Sequence, residues 1–105
     1  MTYELVLTAL ADPTRRHIFE ALRSHPQSVS DLSRGQTVSR PAVSQHLKVL
    51  EDSGLVTVTP AGTRRYYAIK REGLKALHEY LDSFWSDTLS AYSEEIQRQM
   101  GENDA

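Results

Sequence analysis

Two short stretches of this chain hold side chains suited to hydrogen bonding and charge neutralisation rather than to bond making: Ser39, Arg40, Pro41, Ser44, Gln45 and Lys48 in the first, Arg64, Arg65 and Tyr66 in the second. A glutamine amide presents a donor and an acceptor in one plane, which matches the edge that adenine shows in the major groove of duplex DNA. Serine contacts a base edge or a phosphate, lysine offers a cation to the backbone, and arginine serves guanine or phosphate. Groups that would make or break bonds are missing. The chain has no cysteine, which removes disulfides, thiolate metal sites and thiol nucleophiles together. It shows no glycine-rich phosphate loop, no paired carboxylates with a plausible cleft and no nucleophile with a partner base, so neither an enzyme nor a cofactor is expected.

The charge distribution points the same way. The formal net charge is only −2, but it is unevenly spread. Residues 1–33 carry three basic and four acidic side chains, residues 34–71 seven and two, and residues 72–105 two and eight. A basic middle between neutral and acidic ends is a local footprint for a polyanion that the whole-chain charge conceals. With 105 residues, 39% of them hydrophobic and 25% charged, the chain fits a single globular domain, 1–105. It opens without a basic-then-apolar leader, and no run nears the roughly 18 apolar residues of a membrane span, so a cytoplasmic protein with no membrane partner is expected.

The elements that must position these side chains can be read in order. Residues 2–10 suggest a short helix with Leu5, Leu7 and Leu10. Asp12 as N-cap and Pro13 at the first helical position start a second helix to Ser24, with Ile18, Phe19 and Leu22 on one face, and His25-Pro26 ends it. Ser28 or Ser30 caps a third, very short helix burying Val29 and Leu32, broken near Gly35. A tight turn leads to a fourth helix, capped by Ser39, with Val43, Leu47 and Leu50 at i, i+4 and i+7 and Gly54 as its left-handed stop. Leu55–Thr59 and Thr63–Ile69, rich in Val, Thr and Tyr, predict a hairpin turning at Pro60-Ala61-Gly62. From Arg71 to about Met100, apolar residues recur at spacings of three and four, the period of a long amphipathic helix that only Gly73 weakens.

On a wheel stepped by about 100° per residue, Leu47 and Leu50 fall within about 40° of Val43. Ser44, Lys48, Pro41 and Gln45 then fall at about 100°, 140°, 160° and 200°, a polar outer stripe. His46, at about 300°, sits beside the apolar stripe and reads as a packing residue hydrogen-bonded within the domain. Any solvated helix carries polar residues, so the stripe gains its meaning from the hairpin. There Arg64 and Arg65 make a cationic tip that can lie along a phosphate backbone or in a minor groove. Alternation puts Tyr67 and Ile69 inward and Tyr66 outward. Arg15 and Arg16 read as members of local ion pairs.

The motifs Ala11-Asp12-Pro13-Thr14-Arg15-Arg16, Ser39 through Leu47, Leu50 with Ser53-Gly54-Leu55-Val56, and Gly62 through Tyr66-Tyr67 together resemble the ArsR/SmtB-type bacterial repressors over residues 9–70. The resemblance implies a mainly α winged helix-turn-helix with about five helices and a small β-hairpin wing. It also implies a homodimer that represses a promoter, often its own, by occupying a double-stranded operator of imperfect two-fold symmetry. No particular small-molecule inducer follows from it. Metal-sensing members carry cysteines in the recognition region, or Asp and His ligands along the last helix. Here cysteine is absent, and His78 and Asp82 lack a second histidine, so the branch without metal sites is implied.

Geometry independently suggests two copies. A helix of about 30 residues is about 45 Å long, whereas a compact chain of about this size spans roughly 34 Å. The last helix should overhang its own domain, and its apolar stripe should be covered by another chain. The expected interface comprises Leu7 and Leu10 of the first helix with Leu77, Leu81, Phe84, Trp85, Leu89 and Tyr92 of the last. Segments 1–11 and 71–100 would then serve dimerisation, 12–70 would form the DNA-binding core, and 101–105 would fray. The rival reading is a winged helix that meets another protein and does not bind DNA, against which the basic wing and the unbroken polar stripe both argue.

Overall fold

A computed structural model describes residues 3–103. Five helices and three short strands follow in the order α1 (Tyr3–Ala11), α2 (Pro13–Ala21), β1 (Gln27–Ser28), α3 (Val29–Arg34), α4 (Arg40–Asp52), β2 (Val56–Ala61), β3 (Arg64–Ile69) and α5 (Arg71–Asn103). This is a mainly α winged helix-turn-helix: α3 and α4 form the bihelical unit, and β2 and β3 form the wing. The strands make one antiparallel sheet in the order β1-β3-β2. No helix among the described residues is long and apolar enough to cross a membrane.

The core is built where α1, α2, α3 and α4 meet the base of the sheet. Ile18, Leu32, Val43, Leu47, Leu50, Leu55 and Val56 are all essentially inaccessible, so the apolar stripe anticipated on α4 is wholly inside. On α1 the inward residues are Val6 and Ala9, whereas Leu5 and Leu7 are exposed. Periodicity could not choose that face, because apolar residues occupy most of this short helix.

Caps fix the helix starts. The Arg15 backbone N–H donates to Asp12 Oδ1 at 2.9 Å, and Pro13 follows the cap. That N–H bond is the main reason the Asp12 carboxyl is held below its ordinary pKa, with the charges of His46 and Arg15 adding to it. At α3, Ser28 and Asp31 form a reciprocal capping box, each side chain accepting from the other residue's backbone N–H. The Ser28 hydroxyl and then its backbone N–H lower the Asp31 pKa, helped by the charges of Arg34 and Arg64. At α4, Ser39 Oγ accepts from the Ala42 backbone N–H at 3.3 Å. Exchanging Ser39 for alanine removes that acceptor and should destabilise the protein by about 0.5–2 kcal/mol, measured as a lower urea midpoint with unchanged slope.

Several expectations need correction. Arg15 and Arg16 form no ion pairs among the described residues. Arg15 Nε donates to the Ala9 carbonyl at 2.6 Å, its Nη2 to the Thr8 carbonyl at 3.3 Å, and Arg16 Nη1 to the Leu10 carbonyl at 2.8 Å. The two guanidiniums therefore satisfy the open carbonyls at the end of α1, which has no basic residue of its own in its last turn. Helix α2 stops at Ala21 rather than Ser24, and β1 was not anticipated. The hairpin turns at Gly62-Thr63, since Ala61 pairs with Arg64. Gly62 takes φ +65°, the positive value that a two-residue turn with glycine at its first central position requires. Pro60 is thereby a strand residue, tolerated because β2 is an edge strand.

Gly54 ends α4 at φ +82° as expected. Gly73, which looked like a flaw in α5, sits against the backbone of Gly54 and Leu55, so the first turn of α5 is seated on the junction between α4 and β2. From there α5 runs for 33 residues, about 50 Å at 1.5 Å per residue. The principal extents are 74 × 24 × 23 Å and the Cα radius of gyration is 20.1 Å, against about 13 Å for a compact chain of about this length. The helix extends to Asn103, so residues 101–103 of the expected frayed segment are helical. Residues 104–105, like 1–2 of the expected first dimerisation segment, lie outside the described residues.

Candidate nucleic-acid interface

Helix α4 turns its apolar stripe fully inward, and that burial fixes what faces out. Pro41, Ser44, Gln45 and Lys48 are exposed beside one another on the opposite side. Ser44 and Gln45 have no side-chain hydrogen bond within the described chain, so their donors and acceptors face solvent unspent. Lys48 Nζ lies 3.4 Å from Asp52 Oδ1 one turn on, an exposed pair of the kind that contributes little and exchanges readily. His46 is half-buried as expected for a packing residue, but it makes no hydrogen bond within the described residues.

Arg40, the first residue of α4, reaches back to α3. Its Nη2 donates to Ser30 Oγ at 2.5 Å. Ser30 thus enters the site as a residue that the sequence suggested only as a possible cap. The signal for α3 was nevertheless present in the Ser28–Asp31 spacing, which is that of a capping box.

The wing is placed by β1. Gln27 pairs with Tyr67 and Ser28 with Tyr66, so the two-residue strand ties the root of the hairpin to the start of α3. Tyr67 is buried and Ile69 half-buried against the core, in line with the alternation. Tyr66 is half-buried rather than fully outward, because it lies between Ser28 and Thr59 in the middle of the sheet. Arg64 and Arg65 are exposed near the tip. Between wing and helices lies a groove of about 230 Å³ whose lining includes Ser28, Ser30, Arg40, Thr63, Arg64 and Arg65. The structure thereby brings the cations of the helix start and of the wing to one concavity. Gln45 and Lys48 are not part of that lining.

The second candidate surface is α5. Beyond Tyr80 every described side chain of this helix is exposed, including Leu81, Phe84, Trp85 (64%), Leu89 (60%) and Tyr92 (65%), with Ile96 and Met100 continuing the row. Leu7 is exposed on α1, and Tyr3 of α1 stacks on Tyr80 with ring centroids 4.1 Å apart. Leu10 and Leu77 differ from the rest of the expected interface. Both are half-buried against the protomer's own core and can offer only part of their surface outward. Among the described residues no group of three or more His, Cys, Asp or Glu is placed to hold a metal ion.

Comparison with known proteins gives consistent relatives. Residues 12–58 match the family described as bacterial regulatory protein, arsR family. The HTH-type transcriptional regulator Rv2034 of Mycobacterium tuberculosis is 53% identical over 88 residues, covering 84% of this chain and 82% of that protein. The arsenical resistance operon repressor of Staphylococcus xylosus is 32% identical over 77 residues, 73% of this chain and 74% of its own length. Among solved structures, the homodimeric winged helix-turn-helix DNA-binding domain of Mb0332 from Mycobacterium bovis superposes with a TM-score of 0.64 at 26% identity, covering 76% of this chain and 77% of that one.

Proposed function

The chain belongs to the arsR family of bacterial regulatory proteins, and from that premise we propose that it is a homodimeric repressor that reads a two-fold operator through α4. The observation that carries this is the free polar face of α4, Ser44 and Gln45 above all, opposite a stripe that is entirely buried and next to a cationic groove shared with the wing. Gln45 reads a base edge, Ser44 a base edge or phosphate, and Lys48 a phosphate once Asp52 releases it. Ser39 and Pro41 set the helix start against the backbone. Arg40, Arg64, Arg65 and the accessible part of Tyr66 hold phosphates or the flanking minor groove. The repressor relative and the homodimeric neighbour support both the sign of regulation and the assembly. Leu7, Leu81, Phe84, Trp85, Leu89 and Tyr92, with the outer edges of Leu10 and Leu77, form the interface. It sets the two α4 helices about 34 Å apart, one turn of duplex. A regulator of this kind works in the cytoplasm, where the operator is.

Selection of bound sequences from random duplex DNA should enrich an inverted repeat. On the selected site Gln45→Ala should cost about 1–3 kcal/mol and relax preference at one base position. Arg64→Ala should weaken every duplex alike. Recovery of no repeat would instead favour a winged helix that binds protein, and equal losses on every duplex for both variants would contradict the assignment of Gln45 to base reading.

A further inference from the structure

The groove between α3, α4 and the wing gathers positive charge that the protein does not itself neutralise. Arg40, Arg64 and Arg65 line it, and none of the three has an ion-pair partner among the described residues. Asp31, whose charge Arg64 feels, is already engaged by the Ser28 backbone and by Arg34 at 3.5 Å. Three like charges lining one concavity repel one another in the free protein, and an anion placed among them removes that cost. The hydroxyls of Ser30 and Thr63 border the same space, and Ser30 already fixes the Arg40 guanidinium through the 2.5 Å bond to its Oγ. β1 ends at Ser28 opposite Tyr66, and Arg64 lies two residues further toward the wing tip, beyond the end of that strand.

We propose that this groove seats a single backbone phosphate of the duplex, held at once by Arg40 of α4 and Arg64 of the wing, with Ser30 as the residue that positions Arg40. The proposal rests on the DNA-binding reading above and adds to it that helix and wing share one anion instead of gripping the duplex at separate points. Each phosphate neutralised contributes about 0.9 to the slope of log K against log salt. A shared phosphate therefore predicts a specific total for the pair.

The test uses the full chain and a duplex of arbitrary sequence, titrated over a range of chloride concentrations. The double variant Arg40→Ala/Arg64→Ala should lose about 0.9 from the slope of the wild type, one phosphate's worth. A loss of about 1.8 would mean two separate phosphates, and no loss would mean that no phosphate depends on this pair. Either result overturns the shared seat while leaving DNA binding intact, whereas a wild type that binds no duplex would overturn the DNA reading itself. Ser30→Ala should weaken binding several-fold without altering the slope, because the Arg40 charge remains but is no longer held in place, and Ser30→Thr, which keeps the hydroxyl, should restore it. Unchanged affinity for Ser30→Ala would remove the positioning role. Inorganic phosphate at matched ionic strength should displace the duplex no better than chloride. Selective displacement from the wild type but not from the double variant would assign the seat to a free phosphate.

Discussion

Leu89→Glu should leave the protomer folded but monomeric, and reduce affinity for a two-fold operator by about two to four orders of magnitude. Leu89 is 60% exposed and lies in the part of α5 where every described neighbour is exposed too, so a carboxylate there displaces nothing within the chain. Across a two-fold interface the same change sets a charge, and its symmetry mate, in an apolar contact where water is excluded. Once the dimer is lost, the second half-site no longer adds its contacts at the effective concentration of a linked partner, which is the source of the large factor. Sedimentation equilibrium reads the assembly, operator titration reads the affinity, and far-ultraviolet circular dichroism verifies the fold. A variant that still sediments as a dimer would place the interface elsewhere on the molecule. A wild type whose melting temperature is independent of protein concentration would argue against a dimer altogether.

Gly73→Ala should destabilise the protein by on the order of 1–3 kcal/mol, the reverse of what helix propensity predicts. In an exposed helix interior, alanine is favoured over glycine by about 1 kcal/mol. At position 73 the added Cβ would lie 2.3 Å from the Gly54 carbonyl oxygen, 2.9 Å from its carbon and 3.1 Å from Leu55 Cα. All three are backbone atoms, and Gly54 is itself held at positive φ, so no side chain can swing aside. The whole of α5 must shift instead. Gly101→Ala provides the control, since nothing lies within 4 Å of its Cβ position, and it should stabilise by up to about 1 kcal/mol. Urea midpoints of the two variants should move in opposite directions. A stabilised Gly73→Ala would show that α5 does not sit on the α4–β2 junction.

The interior of α4 was legible in the sequence because thirteen helical residues give a full statement of period, and Val43, Leu47 and Leu50 are all at 0% exposure. The caps at Asp12 and Ser39 and the stop at Gly54 were legible for a similar reason, each being decided by the residue itself and its near neighbours. Strand β1 was not, since two residues become a strand only by pairing with Tyr66 and Tyr67, far along the chain. The same holds for Arg15 and Arg16. Their charges suggested acids as partners, but a preceding helix with bare terminal carbonyls within reach took them first. For the interface of α4 and the wing, the side-chain types were readable, while the convergence of Arg40 with Arg64 and Arg65 on one groove was not, because it depends on how β1 and β3 pair far apart in the chain. Gly73 was misjudged because propensity describes a helix in solvent and carries no information about what lies against it.

The joint between α1 and α2 has a mechanical consequence. Asp12 ties the start of α2, and the guanidiniums of Arg15 and Arg16 clasp the last carbonyls of α1 from the other side of the bend. An elbow fastened on both sides cannot swivel without breaking charge-assisted bonds. Whatever tilts α1 and α5 against their counterparts in a dimer must therefore carry α2, and α4 packed on it, along as one stiff arm. In the dimer proposed above, a small rotation near the long helices would become a larger sweep at α4, so the spacing between the two α4 helices would report strain at the dimer axis.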